Sequence, residues 1–267
     1  MEIVKAVLQV GDSVVAAVRT PERFVAPFGA DKNLLITQLD VTNVEQAKKA
    51  VQRAVEHFGR IDVVVNNAGY GLLGAIEEAS DEDVRKNYDT NVFGLLNVTR
   101  AALPYLRKQR SGHIINMSSV GGLTAAAGWG LYSSTKFAVE GITEALAEEL
   151  APLGIHATAV EPGRFRTNFL EGTSLSRTSQ VIEDYGATVG KTRKFAEQLN
   201  GKQPGDAAKL AAALIILANA ERPPVHLPLG KDTLTRFRQK IGAFEKEIEQ
   251  WQDVITGTDH DDVNRAV

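Results

Sequence analysis

The chain has 267 residues, enough for one large α/β domain with a substantial core, and its 43% apolar and 24% charged residues are ordinary for a soluble globular protein. A net charge of −3 without a long basic run speaks against a nucleic-acid partner, and the absence of cysteine excludes disulfides, thiolate catalysis and Cys-ligated zinc. His57, His113, His156, His226 and His260 are scattered without metal-ligand spacing, so no metal is expected. No stretch approaches a membrane span and no signal core with a cleavage site opens the chain, so the expected location is the cytoplasm.

Short apolar runs alternate with helical periods, the pattern of a parallel α/β sheet. Residues 13–18 and 34–39 read as strands. A helix follows over about 43–58, with Thr42 and Glu45 at capping-box spacing, an apolar stripe through Val44, Ala47, Val51, Ala54, Val55 and Phe58, and Gly59 as its stop. Residues 61–65, 113–117 and 155–160 read as buried strands, with helices near 81–110 and 130–151 between them. The strands are almost continuously apolar, as expected where helices cover both faces. Residues 164–203 are polar and mixed, and read as a flexible loop with one or two short helices. A helix near 205–219 and an edge strand at 225–229, where Pro228 is tolerated, come next. Leu234, Phe237, Ile241, Phe244, Ile248 and Trp251 then share one face of a final helix that could serve a partner, and the last dozen residues read as frayed.

Tyr132 and Lys136 are spaced i, i+4 and so share one helix face. A free tyrosine titrates near pH 10, too high for acid–base work at neutrality, and a neighbouring ammonium favours the phenolate. The pair is therefore a credible general acid/base, although Tyr-x-x-x-Lys alone is common by chance. Ser119 lies thirteen residues earlier, just after the strand HIINM, at the strand end where open α/β sheets bind ligands. Asn66-Asn67-Ala68-Gly69 follows the strand IDVVV, Asn91-Val92 lies in a predicted helix, and Pro162-Gly163 follows IHATAV with Thr167 four residues after the glycine.

Together, and in this order, these motifs resemble the short-chain dehydrogenase/reductase family from about residue 10 to 170. The resemblance implies a Rossmann-like, doubly wound parallel sheet in a single domain over 1–267, with a substrate loop at about 164–203 and a C-terminal helix and tail at about 231–267. It implies an oxidoreductase acting on CH–OH and C=O groups. Asn91, Ser119, Tyr132 and Lys136 match the catalytic tetrad: Tyr132 the proton donor, Ser119 orienting the substrate oxygen, Lys136 lowering the tyrosine pKa and holding the nicotinamide ribose, Asn91 anchoring a water. Asn67, Ala68 and Gly69 would pass the adenosine ribose, Asp40 and Val41 would contact adenine, and Pro162, Gly163, Phe165 and Thr167 would face the nicotinamide. Arg100, nine residues after Asn91, sits where the family is often basic and is expected as a cofactor contact, although helical rotation points it away from Asn91. An acid after the second strand of the fold would mark NAD; Arg19 stands there instead, and a guanidinium suits the 2′-phosphate of NADP. NADP(H) is thus the expected cofactor and NAD(H) the less expected one.

One family feature is not found. The pattern should begin with a strand and a glycine-rich turn, yet Met1 falls inside the helix that should follow, so about 15 residues, a first strand together with its glycine loop, are expected to be missing. Gly69, Gly71 and Gly74 read G-x-G-x-x-G but overlap Asn-Asn-Ala-Gly and are not that fingerprint. A misassigned start, an inactive relative and a rearranged sheet edge all remain open, and with them a non-catalytic binding or scaffold protein as the alternative to an enzyme. Phe169, Leu170 and Leu175, with Leu123, Trp129, Tyr70 and Leu72 across from them, suggest a lipophilic carbonyl or alcohol as substrate, although the same side chains also suit a core. Family members pair through the two long helices, here 87–110 and 130–151, so a homodimer or homotetramer is expected.

Overall fold

The computed structural model describes residues 1–25, 28 and 31–260. It opens with α1 (Glu2–Gln9), β1 (Val14–Val18), the short α2 (Glu22–Val25), β2 (Leu34–Gln38), α3 (Val44–Phe58) and β3 (Val63–Asn66). Next come β4 (Gly71–Leu73), α4 (Asp81–Tyr88), α5 (Gly94–Gln109), β5 (Gly112–Met117), α6 (Val120–Leu123), α7 (Gly130–Leu150) and β6 (Ile155–Pro162). The last third holds β7 (Phe165–Arg166), β8 (Leu175–Arg177), α8 (Lys191–Leu199), β9 (Gly205–Asp206), α9 (Ala207–Ala218), β10 (His226–Leu229) and α10 (Lys231–Thr256).

The main sheet is parallel, in the order β10-β6-β5-β3, with Asn66 beside Asn116 and Met117 beside Val160. On one face Ile114, Ile155 and Leu106 pack with Leu146 and Leu150 of α7; on the other Ile115, Met117 and Val160 pack with Leu214 and Leu217 of α9 and with Ile3 of α1. Helices therefore cover both faces, which is why β5 and β6 are buried along almost their whole length. β1 and β2 pair with each other as a separate parallel ribbon, and among the described residues no ladder joins β1 to β3.

Three local readings need correction. The cap of α3 is Asn43, whose side chain accepts from Gln46 N–H; Thr42 is one residue too early and instead bonds Asp40. The predicted helix over 81–110 is interrupted by a π-helical turn at Asp89–Phe93, which buries Asn91 and Val92. Such turns often mark functional sites. The 164–203 segment is not a loose loop. β8 pairs with β4, β7 with β9, and α8 is a regular helix. Glu78, fully buried, anchors it by accepting from Ile182 N–H and from the Arg193 guanidinium, while also accepting from Ala75 N–H.

A buried polar ladder locks helices to strands. Asn66 Nδ2 donates to Thr99 Oγ1 of α5 at 3.0 Å and to Asn116 Oδ1 at 2.8 Å, and Asn116 Nδ2 donates to Thr143 Oγ1 of α7 at 2.9 Å. Leaving one member unpaired costs about 1–3 kcal/mol. Asn116→Leu strands both Asn66 and Thr143, so chemical denaturation should show a loss of stability at the upper end of that range or beyond, whereas Asn97→Ala, which removes one half-buried bond to Val41 O, should cost less.

Candidate active site

The site lies where β3, β5 and β6 end. After Met117 the chain leaves β5 through Ser118 and Ser119. Ser119 caps the short α6, its hydroxyl oxygen accepting from Gly121 N–H at 3.0 Å, so its own proton stays free to donate. α7 then lays Tyr132 and Lys136 against this turn; both are buried. Lys136 Nζ donates to Met117 O at 2.7 Å and lies 5.8 Å from the centroid of the Tyr132 ring. Four residues separate the pair, one helical turn, which brings both onto the face turned to β5.

Asn91 reaches the same place from the π turn. Its Nδ2 donates to Tyr70 O and to Thr135 Oγ1, both at 3.0 Å, and its Oδ1 accepts from Tyr70 N–H at 3.0 Å. Both amide hydrogens are thus used, and a second lone pair of Oδ1 remains. Gly69 closes the group: a Cβ there would stand 3.1 Å from Asn91 Oδ1 and 3.6 Å from Lys136 Nζ. Asn67, Ala68 and Gly69 are exposed along the end of β3, leaving their backbone open to a ligand.

Electrostatics differ from the sequence expectation at one point. Burial pushes the Tyr132 phenol up to about 12, with the neighbouring Ser119 hydroxyl opposing it. The same burial brings Lys136 down to about 8, with the Glu140 carboxylate opposing. In the chain by itself, desolvation therefore outweighs any help the lysine gives the phenolate.

Asp40 and Val41 follow β2. The Asp40 carboxylate accepts from Thr42 N–H and Oγ1, bonds that hold its pKa below the usual carboxylate value, and the charge of Arg19 adds to this. Arg19, exposed just past β1, is thus near Asp40 at the ends of paired strands. Val41 packs against Gly94, where a Cβ would come within 2.5 Å of it. Arg100 is exposed on α5, next to the inward-facing Thr99, and is not drawn into the cluster around Lys136.

Beyond Pro162, Gly163 N–H donates to Leu229 O at 2.9 Å and has no room for a side chain, since a Cβ would stand 2.2 Å from the Asp232 carboxylate. Phe165 packs on Gly205, and Thr167 Oγ1 caps the turn at 168–170 by accepting from Phe169 N–H. That turn delivers Phe169 to Tyr132 and Trp129, with ring centroids 5.6 and 6.3 Å away. Leu175 and Leu170 back this wall through Leu73 and Trp129. Of the residues expected opposite, Leu72 is fully buried core, while Tyr70 and Leu123 are half-buried.

Sequence reasoning missed a cluster behind the tetrad. Glu140 of α7, Glu161 of β6 and His226 of β10 bring ligand-capable atoms within 4.8 Å of one another. Glu140 accepts a short hydrogen bond from Ser118 Oγ, and His226 Nδ1 lies 3.1 Å from Glu161 Oε1 and 3.3 Å from Glu140 Oε2. The three residues come from three elements, so no spacing signals them. Burial, then the Glu140 charge, pushes Glu161 up to about 9; Glu140 is raised by burial.

A family model described as short chain dehydrogenase matches residues 1–177, and the chain belongs to that family of oxidoreductases. It is 36% identical to Oxidoreductase BOA17 of Botryotinia fuckeliana over 257 residues, covering 95% of this chain and 93% of that one. It is 41% identical to 3-ketodihydrosphingosine reductase of Bacteroides thetaiotaomicron over 194 residues, covering 72% and 71%. A short-chain dehydrogenase of Streptomyces avermitilis superposes with a TM-score of 0.87 at 36% identity, covering 97% and 94%, and ElxO with NADP bound superposes with 0.71 at 29% identity, covering 88% and 93%.

Glu161 supplies a pH test of stability. Its folded pKa lies above that of an exposed glutamate, so the stability tied to its proton is complete below about pH 4.5 and is lost as pH rises toward about 9. Calorimetry should show the melting temperature falling across that window, with a flatter fall in Glu161→Gln.

Proposed function

We propose that this chain is a cytoplasmic NADP(H)-dependent oxidoreductase that interconverts a lipophilic ketone or aldehyde and its alcohol, with Tyr132 as general acid and base. The observation that carries this reading is the convergence of four side chains from three parts of the fold: Lys136 on Met117 O, Tyr132 one turn before it, Ser119 with a free hydroxyl proton, and Asn91 braced across Tyr70 and Thr135.

The residues present fit the cofactor at two ends. Gly69 leaves a cradle beside Asn91 and Lys136 that a Cβ would fill, and Arg19 and Asp40 stand together past β1 and β2. Lys136 would hold the nicotinamide ribose with the ammonium protons not given to Met117 O. Arg19 would take the 2′-phosphate, Asp40 and Val41 the adenine, and Asn67, Ala68 and Gly69 the adenosine ribose. Pro162, Gly163, Phe165 and Thr167 would border the nicotinamide. Bound NADP(H) supplies or accepts the hydride at the substrate carbon.

The remaining chemistry belongs to the chain. Ser119 Oγ donates to the substrate oxygen and fixes it beside Tyr132. In reduction Tyr132 gives its phenolic proton to that oxygen as negative charge develops there; in oxidation the phenolate takes it back. A phenol near 12 is fully protonated at neutral pH, the state reduction requires. Trp129, Phe169, Leu170 and Leu175 place an apolar, aromatic wall next to the phenol, which favours a lipophilic substrate over a sugar. ElxO binding NADP and a relative named 3-ketodihydrosphingosine reductase support the cofactor and the substrate class.

The test is NADPH consumption at 340 nm with a panel of apolar ketones. Tyr132→Phe should lower kcat by a factor of about 10² or more, with NADPH affinity retained. Reduction should hold through neutrality and decline as pH passes about 8, where Lys136 loses its charge. Turnover confined to small polar sugars, or an unimpaired Tyr132→Phe, would overturn the proposal.

A further inference from the structure

α10 does not finish on the body of the protein. Thr233, in its first turn, is buried, but every residue from Ala243 to Thr256 is exposed, including Phe244, Ile248, Trp251 and Ile255. A helix of 26 residues is about 39 Å long, so more than half of it projects. Isolated helices are marginal in water, and an apolar stripe on one increases the need for a partner.

The stripe has a specific period. Leu234, Phe237, Ile241, Phe244, Ile248, Trp251 and Ile255 alternate steps of three and four residues without a break. This is the 3.5-residue repeat of a and d positions that keeps a seam facing another helix, where a surface helix packed on its own core follows a period of 3.6. The partner is encoded in the charges. The base of α10 carries Lys231, Arg236, Arg238 and Lys240 against Asp232; the projecting part carries Glu245, Glu247, Glu249 and Asp253 against Lys246. A parallel pair would set like charges together, whereas an antiparallel pair sets each half on its opposite.

From this we infer that α10 is a dimerisation arm that pairs with α10 of a second copy in an antiparallel coiled coil about a two-fold axis near residues 242–243. In that register Ile241 faces Phe244 of the second copy, Phe237 faces Ile248, and Leu234 faces Trp251, each contact occurring twice as an isologous interface requires. The flanking positions agree: Arg238 meets Glu245, and Lys240 meets Glu247. The seam and both flanks are satisfied by one register, which ties the second copy to this surface rather than to any apolar surface in general.

The chain lacks cysteine, so single cysteines report the pairing cleanly. Full-length Lys240→Cys and Glu247→Cys, mixed and oxidised, should form a disulfide between the two variants, with little coupling of either to itself. Ile248→Glu, in the projecting half where it cannot disturb the core, should halve the mass seen by sedimentation while circular dichroism stays native. A Trp251→Cys chain that couples to itself would show a parallel pair and overturn the antiparallel register, since the antiparallel pair holds the two copies of that position about 25 Å apart. Unchanged mass for Ile248→Glu, absence of the mixed disulfide, or α10-dependent binding to anionic lipid vesicles by a monomer would overturn the arm itself.

Discussion

A buried ammonium must find an acceptor, and in this molecule the acceptor is a strand end. Lys136 is almost wholly buried and donates a hydrogen bond to Met117 O at the last residue of β5. That bond sets the height of α7 against the sheet. Tyr132 follows one turn back, and Ser119 lies in the turn the bond holds in place. Thr143, two turns further on, meets Asn116 and ties the same helix to the strand beneath. Gly122 shows how tight the joint is: a Cβ there would stand 2.5 Å from Ser118 Oγ and 2.7 Å from Glu140 Oε1. The groups that the proposed function uses are therefore placed by buried polar contacts in the α/β layer, and such placement is the preorganisation that acid–base chemistry needs.

Two structural units would share the cofactor in the proposed function. The groups for its reactive end stand on the four-stranded sheet and α7, and the groups for its adenosine end, Arg19 and Asp40, stand on the β1–β2 ribbon. A ligand bridging both would stabilise their relative position in proportion to its affinity. The Glu140–Glu161–His226 cluster begins one turn of α7 beyond Lys136, and the Glu140 charge acts on that ammonium.

Much of this was legible in the sequence because its signals are local. Runs rich in Val or Ile marked β1, β3 and β5 to within about two residues, Gly59 stopped α3 in the left-handed conformation, and Tyr132 and Lys136 declared a shared face. The features that were not legible depend on distant partners. Asn43 displaced Thr42 as a cap because Asp40 captured the threonine hydroxyl. The π turn at 89–93 inserts Asn91 between Tyr70 and Thr135, and nothing in Asp-Thr-Asn-Val-Phe announces an extra residue in that turn. Polar composition made 164–203 resemble a loose loop, whereas one buried glutamate, Glu78, holds it from a hundred residues away. The upward push on the Tyr132 phenol was not legible for a related reason: the pairing with Lys136 is visible in sequence, the burial of both is not.

The central claim is that these residues form a nicotinamide site selective for a 2′-phosphate. The most direct measurement is a titration of the intact chain with NADPH, read by nicotinamide fluorescence, with NADH as the comparison. The account predicts saturable binding that is tighter for NADPH, with the preference reduced in Arg19→Glu. A folded, soluble chain that binds neither dinucleotide, or that binds NADH more tightly, would contradict it.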